Sequence, residues 1–130
     1  MNQLSKTFFE REVDRIMKEN HLPQYYYVQV RQSKAFMENH FSEKIDLSAI
    51  AKSACMSRFH FIRVFQQIYG LTPRQFLRDV RIAKAKALLK NGHSVSEVCF
   101  AVGYESLPTF SKVFKSGTGR SPKVYRDSQY

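Results

Sequence analysis

Arg58, Phe59, Ile62, Arg63 and Gln66 fall on one arc of about 140° when residues 57–69 are wound as a helix. His60, Val64, Ser57, Phe61 and Phe65 fall on the opposite arc. The first arc is mainly basic and polar; the second is mainly apolar. An arginine on such an arc can pair bidentately with guanine O6 and N7, and its neighbours Arg58 and Gln66 can reach other polar atoms. A second arc of the same kind holds Leu107, Pro108, Ser111, Lys112 and Lys115, and neither arc holds an acid. Phe59 and Ile62 leave two readings open: they pack on a neighbouring element, or they touch thymine methyls or sugar edges in a groove.

Other chemistry finds little support. His21, His40, His60 and His93 are scattered and form no metal-binding spacing. Cys55 and Cys99 lie 44 positions apart without a CxxC pair, and read as small buried apolar residues rather than zinc ligands. Neither a nucleophile motif nor a glycine loop that could cradle phosphate occurs. The chain therefore reads as no enzyme, with no cofactor and no metal. No apolar run approaches the ~18–20 residues of a membrane span. The opening MNQLSKTFFEREVD is too charged for a signal peptide, so a reduced, cytosolic setting is the default.

The charge is unevenly distributed. Across 130 residues, 21 Lys+Arg against 11 Asp+Glu give +10. Residues 1–46 carry seven of each sign, so the whole surplus falls in residues 47–130, where Asp79, Glu97, Glu105 and Asp127 are the acids. A polyanion is the natural partner. Length and a 43% hydrophobic content suit one domain with a real core.

The elements that would position these arcs are all helical. Apolar spacing predicts an amphipathic helix over residues 4–20, ended by Asn20-His21-Leu22-Pro23, and a second over Gln24–His40 carrying Tyr25, Val28, Phe36 and Met37. Asp46 caps a short helix over Leu47–Ala54, and Ser57 caps one that Gly70 stops after Tyr69. Thr72-Pro73 opens a helix of about 18 residues reaching Lys90, or roughly 27 Å. Ser94 or Ser96 opens a helix ending near Gly103, Ser106 one running to about Ser116, and Ser121-Pro122 a final short one.

The chain also repeats itself. SRFHFIRVFQQIYGLTPRQF (57–76) aligns with SLPTFSKVFKSGTGRSPKVY (106–125) at an offset of 49. Upstream the offset is 48, pairing Ile50 with Val98, Ala51 with Cys99, Ala54 with Val102, Cys55 with Gly103 and Met56 with Tyr104. Each copy has the helix-turn-helix pattern, with a small residue where the second helix must approach closely.

On these residues the chain resembles the C-terminal DNA-binding module of the AraC/XylS family of bacterial transcription regulators, over roughly residues 25–127. Leu47-Ile50-Ala51, Ser57-Phe59-Phe61-Arg63-Phe65, Gly70-Thr72-Pro73, Leu88-Leu89 and Val98 carry the likeness. So does the run Gly103-Tyr104-Glu105-Ser106 through Phe110, Phe114, Lys115, Gly119, Ser121-Pro122 and Tyr125-Arg126. The resemblance implies an all-α, homeodomain-like fold of about seven helices plus an N-terminal helix. Residues 1–24 would be an N-terminal helix and linker. Residues 25–130 would form the DNA-binding domain, with helix-turn-helix units at 47–69 and 95–116 joined by a linker helix at 73–90. It further implies that two reading helices enter successive major grooves of double-stranded DNA. Carried over by position, Arg58, Phe59, Ile62, Arg63, Leu107, Pro108, Thr109 and Lys112 are base-reading candidates. Ser57, Gln66, Ser106 and Lys115 are phosphate candidates. The chain departs from the family pattern at Cys55, in place of a turn glycine or small residue, at Ile62, in place of a polar reader, and at Leu107-Pro108.

Family members generally add an effector or dimerisation domain, for which residues 1–24 leave no room. The chain is then a small stand-alone regulator or a fragment of a longer one. The 4–20 helix could serve as a dimer contact, pack on the second helix or act as a linker, so monomer and homodimer both stay open. A bacterial cytoplasmic location at the nucleoid follows from the resemblance. The competing reading is a basic helical interaction module contacting an acidic partner such as RNA polymerase. Cations on the reading helices and linker, at Arg58, Arg63, Arg74, Arg78, Arg81, Lys84, Lys112 and Lys115, favour DNA.

Overall fold

Serine, aspartate, proline and glycine set the helix boundaries through local geometry. The computed structural model describes residues 22–129 together with Phe8, Arg11 and Arg15. From residue 22 to residue 129 it holds seven helices and no strand: α1 (Gln24–His40), α2 (Leu47–Ser53), α3 (Arg58–Tyr69), α4 (Pro73–Lys90), α5 (Val95–Ala101), α6 (Leu107–Thr118) and α7 (Pro122–Asp127). Of the expected helix over 4–20, Phe8, Arg11 and Arg15 are helical; the remainder lies outside the described residues.

Asp46 starts α2 by accepting the Ala49 N–H at 2.8 Å. Ser57 and Ser106 start α3 and α6 with the same side-chain bond, accepting from His60 N–H and Thr109 N–H, each at 3.4 Å. Ser94 opens α5 through a capping box: its hydroxyl accepts the Glu97 N–H at 3.1 Å, and Glu97 accepts the Ser94 N–H at 3.4 Å. Gly70 and Gly119 close α3 and α6 at φ 76° and 82°, donating to the Gln66 and Lys115 carbonyls at 2.8 and 2.7 Å. The sequence repeat is thus a repeat of caps and stops. The sequence reading places the ends of α5 and α6 near Gly103 and Ser116; they fall at Ala101 and Thr118.

Of the described residues, those up to Met37 with Asp46–Arg74 form one compact unit, and Glu38–Ile45 with those from Gln75 onward form another. In the first, α2 and α3 pack together, and Ile50, Ala51, Ala54, Phe61, Val64, Phe65 and Ile68 are buried. Their aromatic rings form a ladder, Phe61 on Phe65 at 5.5 Å and Phe65 on Tyr69 at 4.8 Å. From α1, the residues buried in this unit are Val30, Ser33 and Met37. This corrects the sequence reading of that helix, since Tyr25 and Val28 are 60% and 53% exposed. Ser33 enters the apolar stripe because its hydroxyl donates to the Val30 carbonyl at 2.6 Å and so carries no unsatisfied polar atom.

The second unit is built on Ile82, Ala85, Leu89, Val98, Cys99, Val102, Phe110 and Phe114, with Phe41, Tyr104 and Tyr125 packed against them. Phe110 meets Phe114 at 5.8 Å, repeating the Phe61–Phe65 pair. The two cysteines part company. Cys99 is buried as expected, but Cys55 is exposed and takes φ 57°, correcting its reading as a core residue. It occupies the turn position of Gly103, which has φ 98°. Met56 N–H then donates back to Ala51 O at 3.1 Å, and Tyr104 N–H to Cys99 O at 3.0 Å. The left-handed residue is what reverses the chain in both turns.

Candidate nucleic-acid interface

The core of the first unit decides which side of α3 remains outward. With Phe61, Val64, Phe65 and Ile68 buried, Arg58, Phe59, Arg63 and Gln66 are exposed and Ile62 is half-buried. Phe59, Ile62, Arg63 and Gln66 come together with Gln67 around one shallow concavity on this helix. Arg58 is exposed but does not line it. Phe59 is 81% exposed, which removes the reading in which it packs on a neighbouring element of the described chain.

Ser57 holds the start of the helix from outside the concavity. The first helical bond runs from Phe61 N–H to Ser57 O at 2.9 Å, and His60 N–H is taken by the Ser57 side chain. The N–H groups of Arg58 and Phe59 precede this ladder and carry the positive end of the helix dipole. Tyr26 supports the opposite side, its ring edge-on to His60 at 5.0 Å. Burial and a hydrogen bond with Tyr25 push the Tyr26 hydroxyl pKa up, and the nearby Arg63 charge opposes this.

On α6 the candidate residues Pro108, Thr109, Lys112 and Lys115 are exposed, and Leu107 is 37% exposed. Ser106 takes the Thr109 N–H, and Pro108 has none, so only the Leu107 N–H precedes the ladder at this end. The two helix starts therefore differ in what they can offer a phosphate.

The sequence counts Arg81 among the cations of the reading helices and linker that favour DNA; the structure instead engages it with its own unit. Its Nε donates to Phe41 O at 2.8 Å and its Nη2 to Glu43 O at 3.0 Å, while its guanidinium lies 5.5 Å from the Tyr104 ring centre. Burial lowers its pKa, with Tyr104 acting against the shift. Lys84 sits over the Phe41 ring at 5.7 Å and Arg78 pairs with Asp79 at 3.5 Å. The acids Glu97 and Glu105 pair with His93 and Lys44, at 3.7 and 3.6 Å, and neither is on α3 or α6.

A helix-turn-helix domain model matches residues 50–128, covering both copies of the repeat. Among solved structures, the C-terminal domain of AraT, a response regulator from Geobacillus stearothermophilus, superposes with TM-score 0.74 and 29% identity over 77% of this chain and 84% of that one. This chain belongs to the AraC/XylS family. The AraC-type domain here is also similar to the DNA-binding domain of AdpA, solved in complex with a target DNA, at 32% identity and TM-score 0.73 over 76% of this chain and 90% of that one. An HTH-type transcriptional regulator of Haemophilus influenzae is 45% identical over 63% of this chain and 28% of its own length. The HTH-type transcriptional activator RhaS of Salmonella arizonae is 32% identical over 77% of this chain and 36% of its own. The chain thus spans about a third of the length of these curated relatives, which are named as regulators rather than enzymes.

Within this AraC-type domain, sequence reasoning missed Gln67 at the concavity and Tyr26 behind His60. The first was legible, because at about 100° per residue Gln67 falls only about 40° beyond Arg63, at the edge of the polar arc. The second was not, because it rests on a contact between α1 and α3.

Proposed function

We propose that this chain binds double-stranded DNA sequence-specifically and regulates transcription, with α3 and α6 entering successive major grooves. The observation that carries this is the duplicated presentation: two 12-residue helices, each serine-capped and glycine-stopped, each turning a basic, acid-free face outward from an aromatic core. α4, at 18 residues, is roughly 27 Å long, a fair part of the ~34 Å between major grooves one turn apart. The DNA complex of the AdpA domain supports the same reading by similarity.

In this reading Arg58, Phe59, Ile62 and Arg63 meet bases from α3, and Leu107, Pro108, Thr109 and Lys112 meet the second groove. Ser57, Gln66, Ser106 and Lys115 hold phosphates. Residues 25–130 act as the DNA-binding domain and residues 1–24 as a preceding segment. The setting is the bacterial cytoplasm, at the nucleoid, as expected of a regulator with bacterial relatives.

Selection of binding sites from a random duplex library with the purified protein tests the proposal. The expected result is an enriched motif with two half-sites about one helical turn apart. Equal recovery of all sequences overturns it. Tight capture by an acidic protein such as RNA polymerase without duplex binding favours the interaction-module reading instead.

A further inference from the structure

The concavity on α3 has a composition that salt links to phosphate do not explain. Its walls include Phe59, 81% exposed, and the half-buried Ile62 three residues on; Arg63, Gln66 and Gln67 complete the lining. A single exposed phenylalanine is ordinary. A phenylalanine and an isoleucine lining the same hollow among three polar side chains, on the outward face of the candidate reading helix, call for a small apolar guest held beside hydrogen-bonding groups. A base-pair edge in the major groove offers one such group, the C5 methyl of thymine, flanked by ring acceptors and amino donors.

The internal repeat provides a control. At the offset of 49, Phe59 corresponds to Pro108, Ile62 to Ser111, Arg63 to Lys112, Gln66 to Lys115 and Gln67 to Ser116. The second copy keeps the cation and replaces the hydrophobic pair with proline and serine. The Phe59–Ile62 pair therefore belongs to the first copy alone, and the second copy presents Leu107 and Pro108 on its outward face instead.

We infer that Phe59 and Ile62 form a reader for the C5 methyl group of a pyrimidine, which makes thymine at one or two positions of a single half-site a specificity determinant. Arg63, Gln66 and Gln67 anchor the flanking polar edges. This rests on the DNA-binding reading proposed above and adds to it the chemical group that is read. Burying one methyl group corresponds to about a four-fold change in affinity.

The test uses the purified chain and the duplex obtained by selection, with each thymine replaced singly by deoxyuridine, which removes only the methyl. The expected result is a loss of about four-fold at one or two adjacent positions in one half-site, with 5-methylcytosine opposite guanine partly restoring binding at a cytosine-substituted site. Phe59→Ala and Ile62→Ala should bind the parent duplex more weakly and lose sensitivity to deoxyuridine there. Phe59→Leu, which keeps an apolar wall, should retain part of it. Circular dichroism of the variants should match the parent, since these side chains are outside the core. Specific binding that ignores deoxyuridine everywhere, or sensitivity that survives in the Phe59→Ala, Ile62→Ala double variant, overturns the inference and leaves DNA binding intact. Absence of any sequence-specific binding overturns both.

Discussion

Arg81 on α4 donates to the carbonyl of Phe41, forty residues earlier in the chain, at 2.8 Å, and its second bond to Glu43 O at 3.0 Å makes the guanidinium a clasp on the segment after α1. Tyr104, from the turn of the second helix-turn-helix, covers the same guanidinium. A lysine cannot reproduce two divergent donors and a planar ring contact. Arg81→Lys should therefore destabilise the protein by about 1–3 kcal/mol, the value reduced by the partial exposure of the group. Urea denaturation checks this, with Arg74→Lys, an exposed change on the same helix, as the neutral comparison.

The equivalent turn positions Cys55 and Gly103 invite reciprocal substitution. Cys55→Gly relieves a left-handed non-glycine residue at φ 57° and should raise stability by about 0.5–1 kcal/mol, after the extra unfolded-state entropy of glycine is subtracted. Gly103→Ala should do the opposite, because its Cβ would stand 2.8 Å from Phe41 O and 3.2 Å from Arg81 Nε at φ 98°. Thermal melts of the two variants should move in opposite directions.

Cys99 and Cys55 should also differ in reactivity. Burial pushes the Cys99 thiol pKa up, and its Sγ faces Tyr104 O at 3.7 Å, so a thiol reagent should label Cys55 rapidly and Cys99 only on unfolding. Cys99→Ser should cost about 1–3 kcal/mol through a poorly satisfied buried hydroxyl. The folded variant should still bind DNA; loss of binding without unfolding would mean the thiol does more than pack.

Glu97 gives α5 a pH dependence. Hydrogen bonds from the Ser94 side chain, then from the Ser94 backbone, hold its carboxyl below the ordinary carboxylate value, with His93 adding less. A depressed folded pKa means that the contribution is complete above the unfolded value of about 4.3 and is lost as pH falls through the folded one. Acid titration followed by circular dichroism should show Glu97→Gln converging on the parent below that range and falling short of it above.

DNA affinity should depend steeply on salt. If about six phosphates are neutralised, log K falls with log salt at a slope near −5. A flat dependence between low and physiological salt would contradict the DNA reading.

The two reading helices should respond differently to loss of their central cation. Arg63 can address guanine bidentately, whereas Lys112 is a point charge beside Leu107 and Pro108, which donate no side-chain hydrogen bond. Arg63→Ala should relax preference at one or two base pairs, by about 1–3 kcal/mol of discrimination. Lys112→Ala should weaken binding to all sequences alike and make the salt slope shallower by about one unit. Motif determination on both variants decides, and a Lys112 variant that loses base preference while the Arg63 variant keeps it reverses the roles.

Local chemistry was enough to read the capped starts of α2, α3, α6 and α7, to narrow that of α5 to Ser94 or Ser96, and to read the Gly70 stop, the helix-turn-helix repeat and the outward arc of α3, because caps act within four residues and a strongly amphipathic helix has one way to bury three aromatic or aliphatic neighbours. The family likeness followed from the same spacing. What lay beyond reach depended mostly on partners distant in sequence. The inward stripe of α1 turned on whether Ser33 could satisfy its hydroxyl on its own helix and be buried with Val30 and Met37, leaving Tyr25 and Val28 outside. Arg81 looked like any linker cation until the chain brought Phe41, Glu43 and Tyr104 around it. Cys55 looked like a core residue until the turn placed it in the left-handed region with its side chain outward. In each case residue type was compatible with two environments; packing against distant elements chose for the stripe of α1 and for Arg81, and the geometry of the turn chose for Cys55.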